Sequence, residues 1–425
     1  MTASRAKVEP VTCLGCGCVC DDVNVQVSDG RIVAVTPECP VARTWFGDGS
    51  VPERVLRDGA AAELSDALTE AAALLTHSAG RVLVYLAPEL STQAQRTALA
   101  LADLLRARVD SATSEPAAAG LLAAQRRGRA TATLGEIRNR ADVLLFWGVD
   151  PTTRYPRYLS RYALDPEGSH VPGGRRGRKV ISVHVGEARG PAGAELEVTL
   201  DPADEIGALS VMRATVLGNA LDPLPPALQG AARAAGELLS ARYAVLVHEA
   251  EPSRLTPDPF RAEGLIALVQ ALNGPTRAAL SSLRAGGNRS GAESVLTWQT
   301  GYPLAVDFAA GFPRYTPSTR GLASAGAGVT AVLIAGNTAG LGADASATLG
   351  RVPTVVIGPR ASEAPFTARV AIDTGVAGIH EAGIAYRMDE MPLPLRPPLS
   401  GRRSAAGTLE ALLTVVHQRL RERST

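Results

Sequence analysis

Asp142-Val143-Leu144-Leu145-Phe146-Trp147-Gly148-Val149-Asp150-Pro151 is the stretch whose reading decides the fold. Five apolar side chains follow one another without alternation, then Gly148 and Asp150-Pro151 mark a turn. A strand with one wet face would alternate; an unbroken apolar run bounded by turn residues reads as a strand buried on both faces. Val82-Leu83-Val84-Tyr85-Leu86 repeats the signature. Further strand candidates lie at 180–183, 196–200, 243–247, 332–335 and 354–357. Amphipathic helical stretches lie between and around them, at 92–106, 206–217, 260–272 and 408–420. The last carries Leu409, Leu412, Leu413, Val416 and Leu420 on one stripe. Short buried strands alternating with helices predict parallel sheets covered on both faces, an α/β class of doubly wound domains. No fixed-period repeat is present, and Pro223-Leu224-Pro225-Pro226 and Arg396-Pro397-Pro398 read as connectors.

Composition narrows the function classes. The 425 residues carry 43 basic and 42 acidic side chains, a net charge of +1, too balanced for electrostatic nucleic-acid binding. At 46% apolar the chain is not disordered, and its length suggests more than one domain. No apolar run approaches the roughly 18–20 residues that span a bilayer. The first ten residues lack an apolar signal core, so a cytoplasmic location is expected. Only Lys7 and Lys179 are lysines, a skew toward Arg of the kind GC-rich coding produces.

All five cysteines fall between positions 13 and 39. Cys13, Cys16, Cys20 and Cys39 have a spacing that can converge on one metal centre, with Cys18 as an extra. Gly15 and Gly17 let the loop bend and turn backbone N–H groups toward sulfur. Asp22–Val27 alternates, Ser28-Asp29-Gly30 turns, and Arg31–Val35 returns, a β-hairpin that brings Cys39 back to the loop. A four-cysteine zinc site usually pairs two C-x2-C knuckles, so the lone Cys39 suits a [4Fe–4S] cluster better. A metal-free group of thiols is the alternative.

Cys13-Leu14-Gly15-Cys16-Gly17-Cys18-Val19-Cys20-Asp21-Asp22 resembles the N-terminal cluster motif of the B subunit of formylmethanofuran dehydrogenase, of the molybdopterin oxidoreductase superfamily. The resemblance continues through Thr131-Ala132-Thr133-Leu134-Gly135-Glu136, Trp147–Pro151 and Pro156-Arg157-Tyr158. It is densest over Arg284-Ala285-Gly286-Gly287-Asn288 and Val295–Pro303, and closes at Ala385-Tyr386-Arg387-Met388-Asp389. It implies that Arg284, Gly286, Gly287, Asn288, Thr297 and Gln299 line a pterin cleft, and that the four spaced cysteines hold the cluster. In the tungsten or molybdenum enzymes of this family a Cys or selenocysteine ahead of the Thr-x-Thr-Leu-Gly-Glu motif ligates the metal. Counting back from that motif places the position at or next to Pro116, in Ser114-Glu115-Pro116-Ala117-Ala118-Ala119. Proline and alanine offer no donor, and Glu115 would serve only if the register slipped by one.

The chain is therefore most similar to the B subunit of the bacterial formyltransferase/hydrolase complex. The resemblance implies a non-redox scaffold without tungsto- or molybdopterin and without an active site of its own. Its implied partners are an amidohydrolase-like A subunit, a C subunit and a formyltransferase D subunit. The implied reaction carries a formyl group from tetrahydromethanopterin to a methanofuran-type carrier and on to formate. The alternative is the B subunit of a tungsten- or molybdenum-pterin, [4Fe–4S]-dependent dehydrogenase.

Two further features have both a functional and a plain structural reading. Arg175, Arg176, Arg178 and Lys179 form the strongest basic run; they suit an acidic carrier tail or a solvated loop. The six histidines (His77, His170, His184, His248, His380 and His417) show no metal-site spacing and read as structural or exposed. The expected domains are a cysteine-bearing module at 1–55, a discontinuous α/β domain at 56–140 with about 320–400, a second at 141–319, and a C-terminal helix at 401–425.

Overall fold

The computed structural model describes residues 10–219, 221–252, 255, 257–322, 325 and 328–423. The N-terminal stretch read for a signal core lies almost wholly outside these residues. The chain forms two compact units, one of residues 1–115 with 286–425 and one of residues 116–285.

The first unit begins with the hairpin β1 (Asn24–Ser28) and β2 (Arg31–Thr36), antiparallel as read. Asp29 and Gly30 at its tip both have positive φ, the backbone of a tight hairpin turn. Helix α1 (Pro40–Phe46) starts directly after Cys39, with proline at its first position. Then come the short β3 (Val55–Arg57) and β4 (Ala60–Ala61), α2 (Leu64–His77), β5 (Val82–Leu86), α3 (Thr92–Leu104) and β6 (Arg108–Ser111).

The second unit holds α4 (Ala118–Arg127), α5 (Leu134–Arg140), β7 (Val143–Trp147), β8 (Lys179–Val185), β9 (Leu196–Leu200), α6 (Glu205–Val216), α7 (Gln229–Leu239), β10 (Ala244–Glu249), α8 (Pro259–Leu272) and β11 (Ala278–Leu283). Its sheet runs β11-β10-β7-β8-β9, parallel throughout. Thr133 and Glu136 form a capping box at the start of α5, so part of the Thr-x-Thr-Leu-Gly-Glu motif is a helix start.

The chain then returns to the first unit with α9 (Arg289–Thr300), β12 (Val306–Asp307), β13 (Arg314–Tyr315), β14 (Ala331–Ala335), α10 (Ala343–Leu349), β15 (Thr354–Gly358), β16 (Val370–Asp373), the hairpin β17 (Gly383–Tyr386) and β18 (Pro392–Leu395), and α11 (Ala405–Glu422). The large sheet runs β13-β12-β6-β5-β14-β15-β16-β3-β4, with β6 through β16 parallel and short antiparallel edges. Its core is built from Ala, Val, Leu and Ile of α2, α3, α9 and α11 against the strands.

Both sheets confirm the α/β expectation, but the boundaries differ from those read in the sequence. Residues 116–140 belong to the second unit because α4 packs on α8. The return falls at 286 rather than about 320, because α9 buries Ala292, Val295 and Leu296 in the core of the first unit. The segments 1–55 and 401–425 are not separate. The hairpin module clusters with the first unit, and α11 packs on α2 and α3 through Leu409, Leu412 and Val416.

Candidate functional site

The cysteine loop is drawn tight by its own backbone. The Cys13 N–H donates to the Cys20 carbonyl at 2.9 Å and the Val19 N–H to the Cys16 carbonyl at 3.1 Å. The Gly15 N–H donates to Cys13 Sγ at 3.4 Å. Cys13, Cys18, Cys20 and Cys39 are buried and Cys16 half-buried. Burial pushes the Cys13 thiol far up, and Cys16, Cys20 and Cys39 add to that shift, which places each of the three within electrostatic reach of Cys13.

The glycine pair seats a second loop on the first. A Cβ at Gly286 would lie 2.4 Å from the Gly15 carbonyl oxygen, and the Gly287 N–H donates to the Leu14 carbonyl at 2.7 Å. Gly287 has φ +89 and a Cβ there would meet Pro88 O at 2.5 Å. Asn288 is fully buried. Its amide nitrogen faces Leu90 O, Thr92 Oγ1 and Gln95 Oε1, each at 3.1 Å, and its oxygen accepts the Tyr386 N–H at 2.7 Å. This side chain is fully used in joining α3, α9 and β17. Thr297, Trp298 and Gln299 are exposed on α9; the Thr297 hydroxyl donates to Glu293 O, and Trp298 meets Tyr386 edge-on at 5.6 Å. Of the residues expected to share a cleft, Gly286, Gly287 and Asn288 thus lie in a packed joint and Thr297 and Gln299 on the exposed face of α9.

In the first unit the sheet order reverses at β5, flanked by β6 and β14, and the crevice beyond such a reversal is where α/β sheets place ligands. The residues there are acids engaged with backbone. Asp110 accepts from the N–H of Ser111 at 2.9 Å, of Ala305 at 3.2 Å and of Gly321, and from Ser114 Oγ at 2.8 Å. Burial raises its pKa against those bonds. Glu89 keeps a buried Oε2 without a hydrogen-bond partner, and burial raises its pKa to about 6. Arg289 donates to Gly286 O at 3.0 Å and Ala112 O at 3.1 Å.

The second unit reverses between β7 and β10, and its crevice is likewise internally neutralised. Arg154 pairs with Glu249, whose Oε1 also accepts from the Tyr155 hydroxyl at 3.3 Å. Arg284, immediately after β11, lies 3.4 Å from Glu251. Both of these cations face a carboxylate of the same unit.

The members of the basic run are placed differently. Arg178 is buried and donates to the carbonyls of Ala141, Leu164, Pro166 and Arg138 at 2.6–3.2 Å. Arg175 pairs with Glu195 and Lys179 with Glu237, leaving Arg176 as the exposed member. The histidines form no cluster: His248 is held neutral by burial, its pKa down to about 4, and bonds Ser282 Oγ at 2.9 Å. His380 faces Gly49 O at 2.8 Å. Sequence reading missed Glu89, Asp110 and the buried set of Trp147, Glu205 and Arg261, since nothing in the local pattern marks a polar group whose partners are remote.

No family model matches the chain. The B subunit of tungsten-containing formylmethanofuran dehydrogenase 2 of Methanocaldococcus jannaschii is 31% identical over 405 residues, covering 92% of this chain and 93% of the relative. The chain belongs to the family of formylmethanofuran dehydrogenase B subunits. The like-named protein of Methanococcus maripaludis is 28% identical over 411 residues, covering 91% and 92%. A chain of the crystal structure of the formyltransferase/hydrolase complex (FhcABCD) of Methylorubrum extorquens, with methylofuran bound, shares the fold. Its TM-score is 0.71 at 24% identity, over 86% of this chain and 99% of that one.

Within this fold, position 116 offers a tungsten or molybdenum centre nothing. Pro116 has no donor, Ala117 and Ala118 are buried and donor-free, and α4 begins there. Glu115 lies against Gly321, where a Cβ would sit 2.0 Å from its Oε1. These residues do not fit a pterin-bound metal. The cysteine loop does retain donors for a thiolate-held group. Among the described residues no three His, Cys, Asp or Glu side chains are set to grip a single metal ion. A [4Fe–4S] cluster spreads its four thiolates over four irons, and the N–H aimed at Cys13 sulfur is the kind of bond that tunes such a cluster. Cys13, Cys16, Cys20 and Cys39 would hold it, and it would supply one-electron transfer. Among the described residues no helix is long and apolar enough to cross a membrane.

Proposed function

We propose that this chain is a non-redox structural subunit of a formyltransferase/hydrolase complex. In that complex a formyl group passes from tetrahydromethanopterin to a methanofuran-type carrier and is hydrolysed to formate. The reading rests on Pro116, which has no donor atom and stands at or next to the position where the resemblance puts the family's metal ligand. It is supported by the second unit's crevice, where Arg154 faces Glu249 and Arg284 faces Glu251, and by the engagement of Asn288 in packing. The partners under this reading are an amidohydrolase-like A subunit, a C subunit and a formyltransferase D subunit, and the chain has no catalytic residue of its own. It carries neither tungsto- nor molybdopterin, and a [4Fe–4S] cluster at the cysteines, where present, has no pterin metal to feed.

The second reading is a redox B subunit with tungsten or molybdenum, favoured by the tungsten in both relatives' names and by the grouped cysteines. Iron, zinc, tungsten and molybdenum assays with a visible spectrum of the purified complex separate the two. Tungsten or molybdenum with four irons per chain would sink the scaffold reading.

A further inference from the structure

The outer face of the second unit carries a groove of about 280 Å³ between α6 and α8. Ile206, Ser210, Arg213 and Leu217 fall at helical spacing along one wall, and Phe260 and Glu263 stand on the other. Its apolar side chains are left in water: Phe260 is 70% exposed, Leu217 53% and Ile206 37%. Large apolar side chains clustered in a concavity mark an interaction surface far more than scattered ones do. The groove floor is structurally built, because Gly264 allows the two helices to close: a Cβ there would lie 2.8 Å from Leu209 Cδ1.

The rim is basic. Arg126 and Arg127 share the single carboxylate Glu263. Arg213 is exposed and makes no ion pair among the described residues. Three cations therefore stand near one anion beside a groove whose volume suits one or two large apolar side chains. A flat lipid surface would not fill a concavity between two helices, whereas an amphipathic helix laid across it can seat one or two apolar side chains there and match its flanks in charge.

We infer that this groove docks an acidic amphipathic helix of another subunit of the complex, with Phe260 and Leu217 as apolar anchors and Arg213 as the charge contact. The inference rests on the proposed complex and adds the surface through which it is held.

The test uses the full chain co-expressed with the other subunits. With Phe260→Asp and Leu217→Asp together, retention of the docked subunit should fall by roughly tenfold or more, as expected for anchor residues. Both side chains are exposed, so the circular dichroism and melting temperature of the isolated chain should match the parent. Arg213→Glu should weaken retention and make it less salt-sensitive, while Arg213→Lys should retain the subunit. A photo-crosslinker at 260 should map to an acidic helix of another subunit. A double variant that assembles like the parent, or a crosslink to a second copy of this chain or to no protein, overturns the inference alone. A parent chain that retains no other subunit overturns the proposed complex with it.

Discussion

Glu115 and Glu89 are acids beside the first unit's crevice with opposite expectations. Glu115 is exposed, rests on Gly321, and supplies no metal ligand in this account. Glu115→Ala should leave formyl transfer and hydrolysis by the intact complex unchanged in steady-state assays; a severe loss with assembly intact would contradict this. Glu89 has a pKa raised by burial to about 6 from 4.5. The folded chain therefore holds this proton over a range where the unfolded chain has released it. Its penalty is absent below about pH 4.5, grows up to about pH 6 and is then complete, on the order of 2 kcal/mol. Glu89→Gln should match the parent near pH 4 and exceed it in denaturant unfolding at pH 7.5. Asn288 is the reverse case, fully engaged and fully buried. Asn288→Ala orphans the Tyr386 N–H and the Leu90 carbonyl and should cost about 2–4 kcal/mol, measured the same way.

Among elements, the start of α6 is fixed to α8 and β7 by charge. Glu205 receives the Trp147 indole N–H at 2.7 Å and both nitrogens of an Arg261 fork at 2.6 Å. Arg261→Ala would strand a buried carboxylate, and we expect a loss of about 3 kcal/mol, read from the urea midpoint. Loss of that brace should also loosen the α6–α8 groove, so amide exchange along α6 should quicken in the same variant. How far such elements are legible in the sequence depends on where their partners lie. Val82–Leu86 and Val143–Trp147 stand residue for residue as read, because an unbroken apolar run has one stable home. Arg108–Ser111 escapes because it buries Asp110, which is tolerable only with donors from residues 305 and 321. Ala278–Leu283 escapes because small and hydroxyl side chains carry little hydrophobic signal, and its place at the sheet edge comes from pairing with β10. Arg178 reads as part of a solvated loop because its acceptors are carbonyls, which every residue has. The cysteine spacing and the proline at 116 are legible because each is a matter of residue type at a fixed position.

For the whole molecule, the proposed function is to hold the active sites of other subunits. A carrier arm tethered between a transferase and a hydrolase meets each at an effective concentration set by its reach, so a subunit that fixes their separation raises flux without touching the substrate. Under that proposal the fold can match nearly the full length of its tungsten-named relatives with a proline at position 116. Metal and pterin analysis of the purified complex tests that claim most directly. The proposed function predicts no tungsten, molybdenum or pterin bound to this chain in a complex that still produces formate. One tungsten or molybdenum with its pterin per copy of this chain would contradict it.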